Sequence, residues 1–149
     1  MADGKTRKRR DGAGSELVFV ALGGIGEIGM NCYAYGIGPP EARQWMMVDV
    51  GITFPEGEHD PGIDVILPDV RFMAENRKSL AGIVLTHAHE DHIGALIECW
   101  PKLEAPVYAT PFTAALLKAK IKEYPGKARI EIRVVDVDSR FKEIGRAHV

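Results

Sequence analysis

Ile83-Val84-Leu85-Thr86-His87-Ala88-His89-Glu90-Asp91-His92 decides how the rest of the chain is read. An apolar run, expected to be a buried strand, empties into three histidines and two carboxylates within six residues. A strand end is a rigid place from which to aim side chains. Imidazole nitrogen and carboxylate oxygen are the donors that borderline divalent metals such as zinc prefer. In the spacing His-x-His-x-Asp-His, His87 and His89 can converge on one ion, and Asp91 and His92 on a second. Glu90 sits between donor positions and is expected to point away. One histidine in a polar loop is ordinarily just solvated. Three with an aspartate at this spacing, after a β-branched strand and before a helix, ask for a chemical reason.

The 149 residues suffice for one domain with a real core. A formal charge of −2 gives no global field that would argue for nucleic acid. No apolar run is long enough to span a bilayer or to form a signal-peptide core, so no membrane partner is expected and the cytoplasm is the default compartment. Cys32 and Cys99 make neither a disulfide framework nor a CxxC zinc site, and both are expected simply to pack.

Residues 1–15 are polar and Gly-rich, with Lys5, Arg7, Lys8, Arg9 and Arg10 nearly contiguous. They are expected to be a disordered basic tail; the functional alternative is a loose arm for a polyanion such as RNA, with salt-sensitive affinity. Residues 17–22 read as a strand. Gly24 to Gly29 formally matches GxGxxG, and Asp49 lies about twenty residues on, as a dinucleotide fingerprint would want. That fingerprint needs a helix at once, whereas residues 30–35 are strand-like and Gly36, Gly38, Pro39 and Pro40 then break the chain. Two strands joined by glycines make an antiparallel hairpin instead. Residues 45–50 form a further strand, with Asp49 near its end. A carboxylate there is costly unless partnered. It either caps a turn or stands behind the metal ligands and orients one of them.

Residues 54–68 form a Pro- and Gly-punctuated loop in which His59 faces solvent. A short helix over 69–77, a strand over 80–85 and a helix over 93–100 ended by Pro101 follow. After a short strand at 107–109, Thr110 and Pro111 are a hydroxyl N-cap and a first-turn proline. The helix over 112–124 places Leu116, Leu117 and Ile121 on one face and Lys118, Lys120 and Lys122 towards the other. Residues 130–137 alternate as a half-exposed strand should. Strands first and strand–helix alternation afterwards suggest a mixed sheet with helices on its outer face. Residues 143–149 are what GAGATCGGAAGAGCACACGTC encodes, a string containing a common short-read sequencing adapter. Native sequence is therefore expected to stop near Lys142, and His148 is not expected to be a ligand.

The run His87 to His92 resembles the signature of the metallo-β-lactamase superfamily. Ala21-Leu22-Gly23-Gly24-Ile25-Gly26-Glu27-Ile28-Gly29-Met30-Asn31, Val48-Asp49-Val50-Gly51-Ile52-Thr53-Phe54-Pro55-Glu56 and Gly62-Ile63-Asp64-Val65-Ile66-Leu67-Pro68-Asp69 narrow the likeness. With them, residues 16–142 resemble the N-terminal part of the ribonuclease J family, bacterial β-CASP-type ribonucleases. The fold this implies is α/β: a metallo-β-lactamase-like αββα sandwich, incomplete, with the N-terminal half only. The resemblance also implies a two-zinc phosphodiesterase of the cytoplasm that cuts single-stranded RNA internally and from its 5′ end, in RNA processing and decay. By that likeness His87 and His89 bind the first zinc, and Asp91 and His92 the second. Asp91 also acts in catalysis by orienting the nucleophile, and Asp49 supports the site from behind. Some relatives hold a structural calcium partly by backbone carbonyls of the Gly-Ile-Asp loop, which points to Pro61 and Ile63.

By the same resemblance, the family's third zinc histidine, its bridging aspartate and a further histidine are expected beyond the last residue of this chain, as are the inserted β-CASP domain and a C-terminal domain. A catalytic zinc wants about three protein ligands and an open position. This chain is accordingly expected to bind zinc weakly and cleave nothing, with an exposed inner sheet face, and homo-oligomers are expected only of the full-length protein. Two other readings stand beside it. One is a hydrolase of the same superfamily acting on a small thioester or lactam. The other is a non-catalytic scaffold subunit of an RNA-degradation complex, which would have no chemical need for His87, His89, Asp91 and His92 together.

Overall fold

Alternation shapes the first hairpin. In β1 (Leu17–Gly23), Val18, Val20 and Leu22 pack against the core while Leu17, Phe19 and Ala21 face outward. β2 (Cys32–Ile37) pairs antiparallel with it and buries Cys32 and Ala34 on the same inner side. The connection turns through Gly24, Gly26 and Gly29 at φ of +78°, +75° and +91°, a backbone that no helix can use. The structure, a computed structural model, describes residues 16–55, 61–124, 126, 129–138 and 140. The basic stretch 1–15, His59 and the stretch 143–149 lie outside the described residues.

β3 (Gln44–Val48) closes the antiparallel part, and β4 (Leu80–Val84), β5 (Val107–Ala109) and β6 (Ile132–Val134) add parallel strands. The six strands lie in sequence order in one mixed sheet. Each parallel connection carries helix: α1 (Arg71–Glu75) with a 3-10 turn (Arg77–Ser79), then α2 (Glu90–Ile93) and α3 (Leu96–Leu103), then α4 (Pro111–Glu123). Met73, Ile93, Leu96, Leu103 and Leu117 join Met47, Ile83 and Val107 in one apolar cluster on one face of the sheet. The opposite face carries Leu17, Phe19, Tyr35, Met46 and Tyr108, none of them in that cluster, and Leu17 is 74% exposed. This sheet with helices on one face is the first half of an αββα sandwich; the second sheet is not among the described residues. No helix among them is long and apolar enough to cross a membrane.

Four local expectations need correction. The helix expected over 93–100 is two helices, with a break at Gly94 and Ala95. The break is tertiary in origin. Ala95 N–H donates to Val50 O at 3.0 Å, and Asp91 O, its natural helical acceptor, is taken by Asn31 N–H at 2.9 Å. Nor does Pro101 end α3. The helix runs on to Leu103, which is 1% exposed in the core, and stops at Glu104 with φ +49°. On α4 the buried positions are Thr113, Ala114 and Leu117, while Leu116 is exposed. Thr110 sits at its N-cap without capping a backbone N–H; its hydroxyl meets that of Thr113 at 3.2 Å.

Candidate metal centre

β3 and β4 run parallel, so their C-terminal ends lie side by side. Asp49 follows β3 and Thr86 to His92 follow β4. The pairing extends one step past the strands, because Asp49 N–H donates to Val84 O at 2.9 Å. Asp49 then adopts φ +62°, which an aspartate tolerates better than most residues.

The Asp49 carboxylate is 2% exposed and its partners are all on the histidine loop. Its Oδ1 accepts Thr86 N–H at 2.8 Å, and its Oδ2 accepts the Thr86 hydroxyl at 2.8 Å. The same Oδ2 lies 2.8 Å from His92 Nδ1. A carboxylate only accepts, so His92 carries a proton on Nδ1. The Thr86 oxygen, its hydrogen given to Asp49, accepts from His87 Nδ1 at 3.0 Å. One buried carboxylate, directly and through a hydroxyl, engages Nδ1 of two imidazoles, and these contacts offset the cost of burying it. Asp49 therefore contacts both the start of the turn, at Thr86, and the His92 ring.

The rings gather. His87 and His92 centroids are 3.9 Å apart, and those of His87 and His89 4.6 Å. Asp91 Oδ2 lies 3.3 Å from His92 Nε2. Among the described residues no three His, Cys, Asp or Glu side chains form a ready cage for an ion. Glu90 points away, its carboxylate paired with Lys120 of α4. Pro61 and Ile63 lie exposed in the loop closed by the Thr53–Ile66 bridge.

The loop is held against a neighbouring strand of backbone. Val50 N–H donates to His92 O at 2.8 Å and Ile52 N–H to Glu90 O at 3.0 Å. Gly51 N–H donates to Asn31 O at 2.9 Å. Gly51 has to be glycine, since a Cβ there would lie 1.7 Å from Asp91 O. Asn31 stands at the front of the site. Its Nδ2 reaches Asp91 O at 3.1 Å, Asp91 Oδ2 at 3.3 Å and His92 Nε2 at 3.3 Å. Its Oδ1 accepts the Tyr33 hydroxyl at 2.9 Å. Burial, with the Asp49 carboxylate nearby, pushes the Tyr33 phenol up, which keeps it a donor. The sequence reading passed over Asn31, Thr86 and Gly51. A hydroxyl directly before the first histidine was the one available signal.

The Metallo-beta-lactamase superfamily model matches residues 29–146. Ribonuclease J of Sinorhizobium meliloti is 56% identical over 126 residues, which are 85% of this chain and 22% of that protein. Ribonuclease J 2 of Staphylococcus epidermidis is 37% identical over 131 residues, 87% of this chain and 23% of that protein. The chain thus spans less than a quarter of the length of these curated relatives. The crystal structure of Zn(2+)-bound PqqB from Methylobacterium extorquens aligns at a TM-score of 0.45 and 14% identity over 74% of this chain and 36% of that one, a likeness too slight to bear on the site. With most of its length matched, the chain belongs to the metallo-beta-lactamase superfamily.

Proposed function

We propose that this chain carries part of the centre of a zinc-dependent ribonuclease acting on single-stranded RNA. The observation that carries the reading is the Asp49–Thr86 network, which engages Nδ1 of His87 and of His92 on gathered rings. Neutral imidazoles with their other nitrogen engaged, beside a carboxylate, are the donor set that zinc takes. His87 and His89 would hold the first ion, and Asp91 and His92 the second. Zinc there supplies a Lewis acid that makes hydroxide available near neutral pH and draws charge from a phosphodiester. The chain's own part is to hold His87 and His92 from behind at Nδ1 and to carry the Asp91 carboxylate beside them. The similarity to ribonuclease J names RNA as the substrate class.

Residues 16–142 are, in this reading, the N-terminal part of the hydrolase domain of a cytoplasmic enzyme that oligomerises at full length. Backbone carbonyls of Pro61 and Ile63 would serve a structural calcium. Two donors per zinc fall short of the usual three. The 149-residue chain should then bind zinc weakly and leave RNA uncut. A chain extended to the length of its relatives should cleave 5′-monophosphate RNA, internally or from that end, and lose this on His87→Ala. Hydrolysis of a chromogenic lactam by the extended chain, with RNA spared, would refute the assignment, and RNA cleavage by a contaminant-free sample of the short chain would refute its inactivity.

A further inference from the structure

β6 is the last strand of the sheet, and its outer edge has no partner strand among the described residues. Glu131 O and Val135 N–H bond inward, to Val107 N–H and Ala109 O of β5. Alternation along a parallel ladder then turns the N–H and C=O of Ile132 and Val134 outward. Beside that edge a groove of about 520 Å³ runs between β6 and α4. Its floor is Ile121, Ile130 and Ile132, all partly buried against the core. Its rim is Lys118, Lys122 and Arg129, all exposed, and among the described residues no carboxylate lines it. None of these three cations is in an ion pair among the described residues. Glu131 is bonded instead to Arg133, whose guanidinium lies over the Tyr108 ring on the opposite face of the sheet.

We propose that this groove docks an extended acidic segment of a partner protein, which adds to β6 as a further strand. An open strand edge offers a row of donors and acceptors that only another peptide backbone matches. Side chains two apart on an added strand share a face, so an acid-x-aliphatic-x-acid pattern would seat its aliphatic group on the isoleucines and its carboxylates on the rim. Lys118 and Lys122 stand one helical turn apart and repel each other until such a charge arrives. RNA is the other anionic polymer the cations could draw. The floor disfavours it, because bases stack on rings and this floor is aliphatic. The proposal is independent of the metal reading.

The test is fluorescence anisotropy on the 149-residue chain, with variants checked for folding by circular dichroism. The probe is labelled Glu-Thr-Ile-Thr-Glu-Thr-Val, whose acids and aliphatics share one face when extended. One control peptide carries Lys for both Glu, and a second is N-methylated at its central Ile-Thr pair. The wild-type chain should bind the probe, and each control at least about tenfold more weakly. Lys118→Glu combined with Lys122→Glu changes two exposed side chains and should weaken the probe at least about tenfold. Val134→Pro removes an outward N–H and spares the bonds to β5, so it should weaken the probe about fivefold. Should that variant fail to fold, the N-methylated peptide reads the same bonds from the other side. A probe that does not bind at millimolar concentration overturns the proposal. So does equal affinity for the N-methylated peptide, or a charge-reversed chain that binds like wild type. A labelled oligouridylate that binds more tightly than the probe, and loses this on charge reversal, would assign the groove to RNA and overturn the peptide.

Discussion

Replacing Gly51 with alanine puts a methyl group where a carbonyl already stands. The added Cβ lies 1.7 Å from Asp91 O, 2.1 Å from Asp91 C and 2.8 Å from His92 N. A carbon and an oxygen rest at about 3.4 Å, so about 1.7 Å of separation has to open. Backbone crowds it on that side, with no flexible side chain to give way. The movement pulls on three bonds: Val50 to His92 O, Ile52 to Glu90 O and Gly51 to Asn31 O. Overpacking costs about 1–3 kcal/mol, and each of those bonds contributes about 1 kcal/mol. The total, about 4–6 kcal/mol, lowers the melting temperature of a domain this size by about 12–18 °C. Zinc affinity falls further than stability, because donors need to stay within about 0.5 Å of their places. Gly26→Ala is the control. Gly26 has φ +75° but open space around a Cβ, so only about 1–2 kcal/mol of backbone strain applies. Circular dichroism melting of both variants, with hydrogen exchange at Val50 and Ile52, reads the outcome. A Gly51→Ala chain that melts no lower than Gly26→Ala and exchanges like wild type would refute the packing argument.

Asp49→Asn presents an N–H2 to Thr86 or His92 where an acceptor now stands, so zinc affinity should fall about 10–100-fold in competition with a chromogenic chelator. Thr86→Val removes the acceptor for His87 Nδ1 and the hydroxyl donor to Asp49 Oδ2 but leaves the direct Asp49–His92 contact, and should weaken one of the two sites more than the other; equal weakening of both would reject the separate arms. Burial pushes the Cys32 thiol up to about 12 and the Cys99 thiol up to about 11, so almost no thiolate exists near neutral pH. Iodoacetamide should therefore modify neither in the native protein and both in denaturant, and native labelling seen by mass spectrometry would contradict the packing of β2 and α3.

The site is legible in sequence where chemistry depends on residue type at short spacing. His87, His89, Asp91 and His92 sit within six residues, and few jobs other than metal binding need that set. Asp49 is legible as a buried acid in need of a partner, although sequence could not say that Thr86 and His92 share it. Asn31 is different. Its importance is made by Asp91, 60 positions later, and no local pattern marks it. Gly51 matters only because the loop after β4 folds against it. The split between α2 and α3 was hidden for the same reason. Apolar residues continue through Gly94 and Ala95, and the helix gives way there because Val50 and Asn31 claim its backbone groups. Pro101 misled in the opposite direction: a proline weakens a helix, yet Leu103 gains enough by burial to carry α3 past it. The glycine hairpin, by contrast, was readable from chain length alone, since no helix fits between Gly29 and β2.

Asp49 grips His92 directly and His87 through Thr86, and these two rings would serve different ions. If the proposed ions bind there, loading would be shared work. Once a cation stiffens one ring, the carboxylate and hydroxyl behind it are already set for the other, so the second arrival meets a smaller entropic penalty. Chains given less zinc than they can take should divide into empty and doubly filled populations, with few in between. Native mass spectrometry across a zinc titration would show that division, and a dominant singly loaded species would show that the two rings act alone.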